Sequence, residues 1–127
     1  MSTAVVLDHS ALLALHHAHP VLLGLYIEAG RGHGSLHLPA LSLYAAVREP
    51  SRRRLSSIGA RAVFRFEPFD PDSAVAAGTV VADWRIGHAL TMALPSAAWP
   101  HGRPVLSLQP ELYDNTPISP LDPDSSA

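Results

Sequence analysis

Near its start the chain runs from Ala4-Val5-Val6-Leu7 straight into Asp8, then into His9-Ser10-Ala11-Leu12-Leu13. A short apolar run with Val5 and Val6 β-branched fits a strand buried on both faces. A helix start follows at once, with Ser10 placed to cap it. A strand that passes directly into a helix commits the chain to crossover connections, and so to a parallel sheet. It also puts Asp8 at the carboxyl rim of that sheet, where open α/β folds bind ligands and carry out chemistry.

The rest of the sequence continues the alternation. The first helix is expected from Ala11 to about Ala18. Pro20 opens a second helix over Val21–Ala29, which the Gly30-Arg31-Gly32-His33-Gly34 run closes. Leu36-His37-Leu38 reads as a short strand, and Pro39 opens a helix from Ala40 to about Arg48. A short helix is expected over Arg52–Ile58 and a strand over Ala62–Glu67. In that strand Phe64 and Phe66 share one face, while Val63, Arg65 and Glu67 share the other, a pattern that belongs near a sheet edge. Asp70-Pro71 starts a helix to about Val80. Asp83 caps another over Trp84–Leu94. Pro104–Leu108 is the last strand, and Pro110–Tyr113 a helical turn. The proline-rich stretch 115–127 has few apolar residues and reads as a flexible C-terminal tail. The expected fold class is therefore α/β, with one domain over 1–114.

Composition narrows the function. At 127 residues with 47% hydrophobic content, the chain can bury a real core. No cysteine is present, which excludes disulfides, thiolate metal sites and a cysteine nucleophile. No apolar stretch is long enough for a membrane span, and the start lacks the basic region of a signal peptide. A cytoplasmic location and no membrane partner are expected. The net charge is -2, and all 9 basic residues are arginine, as a GC-rich bacterial coding sequence would give. So small a charge supplies no general attraction for nucleic acid.

Four segments resemble the PIN-domain family, the metal-dependent ribonucleases that form the toxin half of many bacterial toxin–antitoxin pairs. They are Val5–Leu13, Leu38–Ala46, Gly87–Ala93 and Arg103–Tyr113. The resemblance implies a three-layer α/β/α PIN-like fold with a short, mainly parallel central sheet. It also implies a site of acidic residues that hold Mg²⁺ or Mn²⁺. Only Asp8 keeps its acid. Ala45, His88 and Gln109 stand where the family carries Glu, Asp and Asp, and Glu49, Asp83 and Glu111 lie nearby without restoring the spacing. Mg²⁺ is a hard cation held by carboxylates and water, whereas imidazole suits softer metals. The expectation is a degenerate domain, catalytically inactive, with no cofactor, acting as a binding or regulatory module. The alternative is a rearranged Mg²⁺ or Mn²⁺ ribonuclease around Asp8, with Asp8 and His88 as metal ligands. A homodimer and an antitoxin-like protein partner come with the resemblance.

The remaining features divide between a sharp and a plain reading. Asp8 could simply cap the strand-to-helix turn. His16 and His19 share a helix face and could clasp a transition metal, but no carboxylate completes a set there. His88 could face Asp8, or be an ordinary hydrogen-bonded histidine. Arg52-Arg53-Arg54 is the one basic run, offering RNA phosphates a contact or simply a solvated face. The second helix, with Val21, Leu22, Leu23, Leu25, Tyr26 and Ile27, carries more apolar surface than one core face needs, and so is the candidate subunit or antitoxin-like contact.

Overall fold

The computed structural model describes residues 4–49, 63–80 and 82–124. Strand β1 (Ala4–Leu7) leads into α1 (His9–His16) and α2 (Pro20–Gly30). Then come β2 (Ser35–Pro39), α3 (Ala40–Val47), β3 (Phe64–Glu67) and α4 (Pro71–Gly78). A 3-10 turn over Trp84–Ile86 opens α5 (Gly87–Ala93), and β4 (Val105–Leu106) and a 3-10 turn over Pro110–Tyr113 follow. The sheet runs β3-β2-β1-β4, with every neighbouring pair parallel. The expected helix over Arg52–Ile58, and with it the Arg52-Arg53-Arg54 run, lies outside the described residues.

Because side chains alternate across a strand, β1 feeds both sides of the sheet. Val5 and Leu7 pack with Leu12, Leu22, Leu36 and Leu38 on one face. Val6 packs with Ile86, Leu90, Val105 and Tyr113 on the other. Each fully buried leucine or valine contributes roughly 1.5–3 kcal/mol of transfer free energy. The two cores make the three layers that the sequence implies. β3 lies at one edge of the described sheet, as its two-sided pattern demands.

Several local expectations need correction. Asp8, and not Ser10, caps α1, so the helix starts earlier than expected and ends at His16. The carboxylate reaches the Ala11 N–H at 3.0 Å, and the Ser10 hydroxyl turns back to donate to the same oxygen. Asp83 caps a 3-10 turn, and α-helical geometry begins only at Gly87. β4 is shorter than expected. The stretch read as a flexible tail is tied down as far as Asp124. Leu121 N–H donates to the Val105 carbonyl at 2.7 Å, and Ser107 N–H donates to the Leu121 carbonyl at 3.0 Å. A proline-rich segment suits this place, since it covers an edge whose outer side needs few N–H groups. Among the described residues no single helix is long and apolar enough to cross a membrane. α1 and α2 pass such a test only together, with an 89° bend between them.

The loop before β4 turns on one glycine. Gly102 has φ +73°, and a Cβ there would run into the Ala93 carbonyl. Gly102→Ala should therefore lower stability by about 1–3 kcal/mol or more, from backbone strain plus the clash. Urea unfolding followed by circular dichroism checks this; an unchanged midpoint would contradict it.

Candidate functional site

Asp8 ends β1 and is fully buried. Its Oδ1 accepts hydrogen bonds from the Ser10 hydroxyl at 2.7 Å and the Ala11 N–H at 3.0 Å. Its Oδ2 accepts from the Tyr113 hydroxyl at 2.9 Å. Ser10 Oγ in turn accepts from Leu108 N–H at 2.9 Å and lies 3.3 Å from Ser107 Oγ. The Ser107 hydroxyl accepts from Gln109 N–H at 3.0 Å. Burial, and then the charge of Asp8, push the Tyr113 phenol far above its ordinary pKa. Tyr113 thus stays a donor.

The other residues singled out by the sequence sit around this point with separate partners. Gln109 Oε1 meets His9 Nε2 at 3.1 Å, while His9 Nδ1 is buried with no hydrogen bond. Ala45 is buried in α3 and offers only a methyl group. His88 turns its Nδ1 to the Leu41 N–H at 3.4 Å, and its ring lies 5.0 Å from that of Phe69. Burial lowers the His88 pKa against the pull of Glu67 and Asp70, so the ring is neutral near pH 7. His19 caps α2 and meets Asp124 at 2.6 Å; His16 packs edge-on against His17.

The nearby acids are engaged too. Arg85 grips Asp83 through Nε and Nη2, each at 2.9 Å, and its Nη1 lies 3.5 Å from Glu49. That guanidinium holds the Asp83 carboxyl down at about 2. An internal cation therefore balances Asp83 and lies between it and Glu49.

These residues do not fit a Mg²⁺ centre of the kind the resemblance implies. Such a centre needs converging oxygen donors with free lone pairs in octahedral array. Asp8 gives its oxygens to protein donors, Ala45 has none, and Gln109 is taken by His9. Among the described residues no group of three His, Asp or Glu side chains could hold a metal ion.

A second polar cluster escaped the sequence reading. On β2, Ser35 Oγ lies 3.0 Å from His37 Nε2. His37 Nδ1 lies 3.2 Å from Glu67 Oε1 and 3.4 Å from Arg103 Nη1. The Arg103 guanidinium rests over Trp99 at 4.9 Å and donates from Nε to the Met92 carbonyl at 3.2 Å. The signal was present: Ser35 and His37, two apart, share a face of a strand whose other face is leucine. Glu67 belongs to the same face through the pairing of His37 with Arg65 and of Pro39 with Glu67.

No family model matches the chain, and no curated protein matches it. Among solved structures, a chain in the crystal structure of DNA-bound VapBC from Salmonella typhimurium matches with a TM-score of 0.57. The identity is 14%, and the match covers 97% of this chain and 99% of that one. The chain has a PIN-like fold. The four-stranded parallel sheet flanked by helices agrees with that likeness.

Two measurements test the electrostatics. Tyr113→Phe removes the donor from Asp8 Oδ2 and should cost about 1–3 kcal/mol. The raised Tyr113 pKa stabilises the fold fully below about pH 10, where an exposed tyrosine titrates, and less as pH rises beyond it. Tyr113→Phe should accordingly flatten the alkaline fall in unfolding free energy; an equally steep fall in the variant counts against the assignment. For Asp83, the lowered pKa gives stability that is present above about pH 4. It is lost as pH falls toward about 2. The stability gap between wild type and Arg85→Gln should narrow over that acid window in chemical denaturation.

Proposed function

We propose that this chain is a PIN-like domain that does not perform metal-dependent RNA cleavage and acts as a binding or regulatory module paired with an antitoxin-like protein. The observation that carries the reading is the state of Asp8, fully buried with both carboxylate oxygens engaged by protein donors. A metal-activated water must reach a scissile phosphate, and an Asp in this state offers neither coordination nor access. Ala45, His88 and Gln109 complete the picture of a dismantled acidic site.

Support for a protein partner comes from α2. Its Val21, Leu23 and Ile27 are 47%, 39% and 45% exposed, a run of apolar surface on one short helix. Large exposed apolar patches mark protein contacts more often than they occur by chance on monomers. The likeness to a chain of VapBC fits a paired antitoxin-like protein, with a second copy of this chain as the other occupant of that surface.

The test is direct. Purified protein and its Asp8→Asn variant are incubated with a mixed-sequence RNA and Mg²⁺ or Mn²⁺, with an EDTA control. Equal, background-level RNA decay in every arm is expected. Metal-dependent cleavage by the wild type that disappears in Asp8→Asn would establish the ribonuclease alternative instead.

A further inference from the structure

We propose that Ser35, His37 and Glu67 form a nucleophile–base–acid triad, running from the amino end of β2 to the end of β3, that hydrolyses small carboxylic esters. Ser35 lies 3.0 Å from His37 Nε2, and His37 Nδ1 lies 3.2 Å from Glu67 Oε1. That is the mutual geometry an activated serine needs: nucleophile to base, base to orienting carboxylate. The triad is independent of the Asp8 reading, because it starts at the opposite end of the strands and uses none of the same side chains.

The tautomer decides whether the serine is activated. If His37 Nδ1 carries the proton, it donates to Glu67 and leaves Nε2 free to take the Ser35 proton. If Arg103 donated to Nδ1 instead, Nε2–H would point at Ser35 and the serine would be inert. Glu67 Oε1 is the nearer partner, and the Arg103 guanidinium has other acceptors in the Met92 carbonyl and Glu67 itself. The first tautomer therefore prevails. Three charged groups face the ring: Glu67 and Arg65 from β3, and Arg103 from the loop before β4. Burial is the largest influence and holds His37 below its ordinary pKa, so the base is neutral at pH 7.

Ser35 is half-buried and borders a cavity of about 700 Å³ that Gly32, Gly34, Val63 and Arg65 also line, with Phe64 and Phe66 entering from the other face of β3. The two glycines leave backbone without side chains beside the serine. In the reaction Ser35 Oγ bonds to the ester carbonyl carbon as its proton passes to His37 Nε2. The bond from that carbon to the alkoxy oxygen breaks, and the leaving alcohol takes the proton from His37. Water then repeats the sequence, with His37 as base, releasing the carboxylic acid and restoring Ser35. Glu67 orients the ring throughout.

The experiment uses the full chain, a fluorophosphonate probe and p-nitrophenyl butyrate. Mass spectrometry of the digested, probe-treated protein should find the adduct on Ser35 and no adduct there in Ser35→Ala. Labelling and ester hydrolysis should fall about 100-fold or more in His37→Gln, the usual worth of a positioned general base. Glu67→Gln should also slow both, and thermal melts confirm which variants are folded. The labelling rate of wild type should rise with pH to a half-maximum below about 6.5, the ordinary histidine value. A hydrogen-bonded histidine with a purely structural role would give no such reactive serine. An unlabelled Ser35 in the folded wild type overturns the proposal, as does a labelling rate unchanged in both His37→Gln and Glu67→Gln. Neither result bears on RNA cleavage, which a different assay reads.

Discussion

A carboxylate with no access to water has to find its hydrogen bonds inside the protein, and Asp8 finds them in three separate pieces of chain. The Ala11 N–H belongs to the first turn of α1, the Ser10 hydroxyl to the turn before it, and the Tyr113 hydroxyl to the last 3-10 turn. An unpartnered buried acid would cost several kcal/mol, so the carboxylate dictates where those pieces sit. Ser10 extends the demand by accepting the Leu108 N–H, which fixes the exit of β4 against the exit of β1. The ends of the two adjacent strands and the C-terminal turn are thus positioned by one side chain. The tail then follows β4 along its outer side, with Leu121 in register with Leu106.

The same arrangement underlies the proposal of a domain without metal-dependent cleavage. In a nuclease centre a divalent cation balances converging carboxylates and activates water. In this chain the balance is struck by other means. Neutral donors surround Asp8, a methyl group stands at Ala45, and the Arg85 guanidinium pairs with Asp83 and reaches toward Glu49. Hydrogen bonds to a buried carboxylate and a bidentate arginine are among the stronger polar interactions a protein makes. They rigidify the rim that a catalytic site would need to keep open. The cores on the two faces of β1 do not depend on the chemistry at the rim.

How much of this could be read from the chain depends on which interactions are local. The run Ala4–Asp8 announced a central parallel strand, and the helices opening at Pro20, Ala40 and Pro71 followed from proline and cap signals within a few residues. The residues at Ala45, His88 and Gln109 could be compared with the resembled acidic set position by position, because that comparison needs only the local sequence. The partners of Asp8 were not legible, since Tyr113 lies 105 residues away and nothing in the sequence marks it as a donor. The role of Ser10 was misread for a related reason: capping residues Asp and Ser stood two apart, and only the three-dimensional turn decides which of them the helix uses. The tail was misread because edge pairing needs only two backbone hydrogen bonds, which composition does not reveal.

His37 shows where a pattern rule points to function when it fails. A parallel strand covered on both sides is expected to be apolar on both, yet β2 presents Leu36 and Leu38 to one core and Ser35 and His37 to the other side. A buried histidine lowers the stability a leucine would give unless its ring nitrogens are both used, and here both are. The partners are unequal in chemistry: a hydroxyl on one nitrogen, a carboxylate on the other. That asymmetry fixes the tautomer and directs a basic lone pair at the hydroxyl. Packing alone requires no such ordering, since two neutral amides or two hydroxyls would satisfy the ring as well. The order hydroxyl–imidazole–carboxylate, with its hydroxyl beside a cavity, is therefore the feature of this fold that its architecture leaves unaccounted for.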